Sequence, residues 1–345
     1  MSSTVLQTPV QLSPAAALAL SQQAPAILRS SPSTASSSPF STLLSGSEKP
    51  EQWLQYENLI LACLRTGDDQ AAHACLNRLV ARFGDDNERV QALRGLVKEA
   101  EAKNDGALED VLKEYDQMLS ENDTNIPVAK RRIALLRSMG RISDATSALV
   151  QLLDYSPTDA EAWSELSDIY LSQGLYPQAI YAMEEVLVLA PNAWNVCSPT
   201  IAPNLSPMLM QLSQIHARLG ELQYMAATAP GVANGSYQKY MAEAIKRFSR
   251  SIELCDDYLR GYYGLKLVTK KLLDDGGKPA KQTDEGDFWL PDTNTIERLN
   301  ELATAKLSEI TRRSTANDRG WRGYSEAEVA AARELLADDA AATER

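Results

Sequence analysis

The sequence predicts an all-α fold, an α-solenoid of stacked helical hairpins behind a disordered N-terminal tail, and three observations carry that expectation. Gly140, Ala145 and Pro157 are followed, 34 residues on, by Gly174, Ala179 and Pro191, and this period is the signature of the tetratricopeptide (TPR) repeat. Within each period apolar residues recur at helical spacing, as in Trp163, Leu166 and Tyr170, which draws one apolar stripe along a helix. The stretch 1–49 is different material, rich in Ser, Pro and Ala, with no acidic residue before Glu48. A TPR hairpin cannot bury its apolar face alone, so neighbours stack, and the long surface they create points to binding rather than catalysis.

Each element follows from that frame. Residues 1–49 carry only Arg29 and Lys49 as cations, too few for a mitochondrial presequence, and their composition is that of a disordered tail. The solenoid is expected over 50–312. Its first hairpin begins near Trp53 with Tyr56, Leu59 and Cys63, turns at Gly67 and returns through Ala72, Leu76 and Leu79. A longer turn is expected around Arg82-Phe83-Gly84-Asp85-Asp86. In the second repeat Gly106 falls in register as the hairpin glycine, followed by Val111, Tyr115 and Met118.

The third repeat, Ile126 to Asp159, reads through Ile133, Leu136, Gly140, Ala145, Leu149 and Leu152. The fourth, Ala160 to Ala193, is the most complete. Ser167 is the small residue that lets its two helices approach, Gly174 ends the first helix, and Pro177 suits the first turn of the second. Thr158 and Glu161 read as a capping box at its start. Past Pro191 the register slips, and inserted loops are expected near 192–207, 226–238 and 274–293. Between them Leu209, Leu212, Ser213 and His216 form a helix ended by Gly220, answered by Ala244, Phe248 and Leu254. Tyr263, Gly264 and Leu267 open a further helix, and Ile296, Leu299, Leu302, Leu307 and Ile310 a closing one. The extension 313–345 holds a short Ala-rich helix boxed by Ser325 and Glu328.

Composition excludes several functions. A net charge of −12 argues against nucleic acid, whose phosphates require clustered cations. No apolar run approaches the roughly 20 residues of a membrane-crossing helix, so any membrane association is expected to be indirect. The two histidines and four cysteines show no metal-ligand spacing. No phosphate-cradling loop or nucleophile elbow appears. No catalytic residue, metal or cofactor is therefore expected, and the chain reads as a non-enzyme.

In TPR repeats the first helix of each hairpin lines the groove, so exposed positions between its core residues are the candidates for partner binding. These are Leu61, Lys103, Lys130, Arg137, Asp168 and Leu171. Lys130-Arg131-Arg132 with Arg137 form a basic cluster suited to an acidic segment or a helix C-terminus. The carboxylate clamp by which some TPR proteins hold chaperone tails is broken here, because Ala134 stands where Asn is needed and Glu161 and Glu165 would repel the ligand. A free-standing TPR adaptor or co-chaperone binding peptide tails is thus the alternative reading.

A more specific resemblance lies in the run Asn77-Arg78-Leu79-Val80-Ala81-Arg82-Phe83-Gly84, in Arg89 to Gly95, and in Glu99-Ala100-Glu101. Together with Val128 to Ala134 and Asp159 to Leu166, these resemble the repeats of the family of subunit 2 of the endoplasmic-reticulum membrane protein complex, over about residues 50 to 270. The resemblance fails at the Ser-rich tail, the proline-rich loop after Asn192 and the insertion around Gly276. It implies a peripheral scaffold on the cytoplasmic face of the endoplasmic reticulum. Such a subunit cradles cytosolic parts of membrane-embedded subunits and a soluble neighbour, in a complex that inserts tail-anchored and other transmembrane proteins.

Overall fold

A computed structural model describes residues 14–30, 50–189, 207–276, 290–316 and 324–343. Every regular element among them is a helix, and the chain divides into two units, Met1–Tyr155 and Ser156–Arg345.

The first unit holds α1 (Pro14–Gln22), α2 (Ala24–Ser30) and three hairpins. These are α3 (Pro50–Thr66) with α4 (Asp69–Phe83), α5 (Glu88–Glu101) with α6 (Asp105–Glu121), and α7 (Ile126–Ser138) with α8 (Ile142–Tyr155). Helix starts are written by short polar side chains that satisfy amides with no intrahelical partner. Asp68 accepts from the Ala71 amide at 3.1 Å, Asn104 from Ala107 at 2.8 Å, and Asn125 from Val128 at 3.1 Å. Asn125 is buried, and its amide also donates to Gln91 on α5 at 2.9 Å, so one residue starts α7 and ties it to the preceding repeat. Gly140 ends the first helix of the third hairpin at φ +75°, where a residue with a Cβ would be strained. The Arg141 amide then returns to the Leu136 carbonyl at 2.9 Å.

Two expectations are corrected in this unit. The disordered reading of 1–49 fails for residues 14–30, which form α1 and α2; residues 1–13 and 31–49 lie outside the described residues. The physical reason is that Ala17, Leu20 and Ala24 are buried against α3 and α4, so tertiary packing overrides a composition that lacks charge. Gly106 is not the hairpin glycine either. It sits within α6 at an ordinary φ, and the turn before it is closed by the Asn104 cap.

The second unit holds α9 (Ala160–Ser172), α10 (Tyr176–Leu189), α11 (Pro207–Thr228), α12 (Asn234–Leu254), α13 (Leu259–Asp274), α14 (Thr293–Thr315) and α15 (Glu326–Thr343). The first helix is capped by Asp159, which accepts from the Ala162 amide at 3.0 Å, rather than by Thr158. Ser167 is fully buried and donates to the Ala179 carbonyl at 2.8 Å, holding α9 to α10. In the next hairpin Ser213 and Ser251 do the same reciprocally. Each hydroxyl donates to the other's carbonyl, at 3.0 and 2.8 Å.

Gly220 does not end a helix. It lies inside α11, where a Cβ would stand 2.9 Å from three atoms of the Phe248 ring. The ring is 1% exposed and also meets Gly264 of α13, so both glycines make room for one aromatic side chain where three helices meet. Only 229–233 separates α11 from α12, a shorter break than the loop expected at 226–238. The bodies of the other two expected loops fall at 190–206 and 277–289, outside the described residues. Beyond α14 the chain returns. The Tyr324 hydroxyl donates to the Asp257 carbonyl at 2.7 Å, and α15 buries Val329, Ala332 and Leu335. It packs against α13 and α14.

Candidate functional site

In the first unit Lys130 and Arg137 lie two turns apart on α7 and so share one face, the former half-buried and the latter exposed. Leu61 is half-buried on α3 and Lys103 exposed in the turn before α6, on other elements than that pair. The basic cluster read from the sequence is divided. Arg131 grips the Glu99 carboxylate, with Nε 3.2 Å from Oε1, and Arg132 meets Asp116 at 2.5 Å. Two of its four cations are therefore turned toward α5 and α6.

In the second unit Asp168 accepts from Arg218 on α11 at 2.9 Å, and Leu171 packs half-buried into the cluster of Ile180, Met183 and Leu219. Asp168 is the first member of a longer arrangement. Arg218 also donates to Glu221 at 2.9 Å, Glu221 acts electrostatically on Arg260 of α13, and Arg260 meets Glu328 of α15 at 3.0 Å. Carboxylates and guanidiniums thus alternate across α9, α11, α13 and α15. Burial disfavours the charge on Arg218, but hydrogen bonds and charges from Glu221 and Asp168 outweigh it and raise its pKa. Arg260 is raised on the same balance, with Glu221 its first electrostatic partner.

Beside this strip is a cavity of about 360 Å³. Tyr224 and Met225 of α11 form one wall, Leu259, Tyr263 and Leu267 of α13 another, and Ala331 of α15 a third; Phe248 and Gly264 lie at its base and Glu221, Arg260 and Glu328 complete its lining. Met225 is 40% exposed at its edge. An apolar hollow with a few charged groups at its margin is the usual form of a recognition site. The sequence shows Tyr263 and Leu267 as a helical stripe, but nothing in it announces that α15 returns to build the third wall.

The titratable residues do other work. His73 is exposed and meets Glu101 at 2.6 Å. His216 on α11 has a buried Nδ1 with no hydrogen-bond partner among the described residues. Burial, then the charges of Arg247 and Arg250, push its pKa down to about 4. The unfolded chain therefore binds this proton more readily than the folded one, so the stability that His216 supports at neutral pH falls as pH drops from about 6.5 toward 4. Denaturant melts at pH 7 and pH 5 should show a smaller loss for His216→Phe than for the parent chain; equal losses would place the acid sensitivity elsewhere. Cys63, Cys75 and Cys255 are buried free thiols, the first two pushed up by burial to about 11 and about 12. Among the described residues no group of three or more His, Cys, Asp or Glu is placed to hold a metal, and no helix is long and apolar enough to cross a membrane.

These features define a TPR-class helical-repeat protein. Residues 69–200 match the family described as the EMC2 TPR-like repeat domain. ER membrane protein complex subunit 2 of Xenopus tropicalis is 34% identical over 258 residues, 74% of this chain and 76% of the relative. The TPR repeat protein oca3 of Schizosaccharomyces pombe is 31% identical over 266 residues, 76% of this chain and 83% of the relative. The chain belongs to the family of ER membrane protein complex subunit 2. A solved TPR repeat protein from Cytophaga hutchinsonii superposes with a TM-score of 0.44 at 12% identity, covering 91% of this chain and all of that one.

Proposed function

We propose that the chain is the non-catalytic scaffold subunit of an endoplasmic-reticulum membrane protein complex, held peripherally on the cytoplasmic face. There it positions cytosolic parts of the membrane-embedded subunits and a soluble neighbour, and so supports insertion of tail-anchored and other transmembrane proteins. The observation that carries this reading is family membership across three quarters of the chain. The apolar cavity and ion strip of the second unit support it, because they offer a partner segment a hydrophobic seat on fixed helices. In the first unit Lys130 and Arg137, with Leu61 and Lys103, are proposed contact residues, the cations suited to an acidic tail; in the second, Asp168 and Leu171 are proposed separately. The contribution is geometric: no nucleic acid, metal or cofactor enters it.

The test is mild-detergent purification of the tagged full-length chain from membranes, with mass spectrometry of what remains bound. A stoichiometric set of multi-spanning endoplasmic-reticulum proteins is expected. Leu267→Asp, which places a charge in the cavity, should lower their recovery about tenfold while helicity by circular dichroism is retained. Recovery of soluble chaperones alone would replace the scaffold by a free-standing adaptor.

A further inference from the structure

The first full hairpin, α3 with α4, carries an apolar flank made by Tyr56, Leu59, Ile60 and Cys63. Two very short helices cover it: α1 has nine residues and α2 seven, packed against α3 and α4 respectively. Isolated helices shorter than about 12–15 residues are marginal in water, so the flank supplies the order of both. The contacts are of two kinds. Ala17, Leu20 and Ala24 enter the flank's own core, at 1%, 1% and 0% exposure, and small residues at two of those three places let the backbone approach closely. At the far end Arg78 donates through Nη2 to the Leu28 carbonyl.

That second contact has a definite chemistry. Leu28 lies in the last turn of α2, where carbonyls have no intrahelical partner and the helix dipole presents its negative end. Arg78 is fixed from within the hairpin, its Nη1 donating to the Tyr56 hydroxyl at 3.0 Å and its guanidinium lying 5.8 Å from the centre of the Tyr56 ring. The guanidinium thus reads a helix end, not a side chain, while the flank reads Ala17 and Leu20, one turn apart on α1, and Ala24 at the start of α2.

We propose that the α3–α4 flank is a binding site for a short apolar helix pair with an open carbonyl end, and that residues 14–30 are its exchangeable occupant. Because this occupant belongs to the same chain, a partner segment of the same chemistry must exceed its effective concentration to enter. The N-terminal segment is then a gate on that end of the first unit.

The experiment uses the full-length chain with a protease recognition sequence inserted between residues 38 and 39, cleaved after folding. The probe is a fluorescein-labelled synthetic peptide of residues 14–30. Saturable displacement of the cleaved fragment by the peptide, read by anisotropy, is expected. The same peptide carrying Leu20→Asp should not compete, and Arg78→Ala in the protein should weaken binding about tenfold, the usual effect of losing one charge-assisted hydrogen bond. The proposal is overturned if the fragment stays bound without exchanging, or if its release abolishes the unit's cooperative melt. Either result would make residues 14–30 part of the core. Release with no binding of the peptide would equally remove the site.

Discussion

Gly264→Ala is expected to destabilise the second unit by about 2 kcal/mol, even though alanine is the better helix former by ~1 kcal/mol. The cost comes from Phe248. Its ring is 1% exposed and meets both Gly264 on α13 and Gly220 on α11, and a Cβ at position 264 would stand only 2.1 Å from two of its ring atoms. Overpacking of this kind typically costs about 1–3 kcal/mol, and the ring can relieve it only by shifting into the neighbouring cavity that it lines. Gly220→Ala, with the new Cβ 2.9 Å from the ring, should cost less. Combining Gly264→Ala with Phe248→Leu tests the cause: urea melts of the four proteins should give a double variant more stable than the two single effects predict by addition. Additive effects would mean that the ring is not what the glycines accommodate.

The second large effect is expected at Glu99. Its carboxylate accepts from the Tyr115 hydroxyl at 2.6 Å and from two nitrogens of Arg131, joining α5, α6 and α7 at one point. The Glu99 side chain is 12% exposed and that of Arg131 28%, so solvent replaces the lost acceptor poorly. Glu99→Ala strands a phenol and a guanidinium and should cost about 2–3 kcal/mol, whereas Glu99→Gln keeps an acceptor and should cost less. Hydrogen exchange at the amides of α5 to α7 in the full-length chain reports it locally. Exchange as slow in Glu99→Ala as in the parent would show that the bridge adds nothing to the unit's stability.

The sequence makes the repeats legible because their period repeats the same physical demands. Gly140 and Gly174 adopt the positive φ that their place at a helix end requires, and Ser167 makes the close approach expected of a small residue. Gly220 shows where register misleads. Counting positions makes it a terminator, but its lack of a side chain serves Phe248, a residue 28 positions away. Helices α1 and α2 are hidden for a related reason. Composition reports what a segment does alone, and Ala17 and Leu20 are ordered by α3.

The candidate surface is legible only in part. Helical spacing places Lys130 with Arg137, but whether Arg131 and Arg132 face the groove depends on Glu99 and Asp116, which other helices contribute. Asp168 reads as an open carboxylate until Arg218, 50 residues on, is brought beside it. The cavity of the second unit needs three non-consecutive helices, which no periodicity can supply.

The alternation of Asp168, Arg218, Glu221, Arg260 and Glu328 has a mechanical consequence. Apolar contacts are non-directional, so two helices held by them alone can slide along one another at little cost. Ion pairs at about 3 Å tolerate no such travel. A shift of α11 by one turn, ~5.4 Å, would part Arg218 from Asp168. The Asp168–Arg218 and Arg260–Glu328 pairs therefore act as studs, one between α9 and α11 and the other between α13 and α15, each pinning the axial register of the two helices it joins.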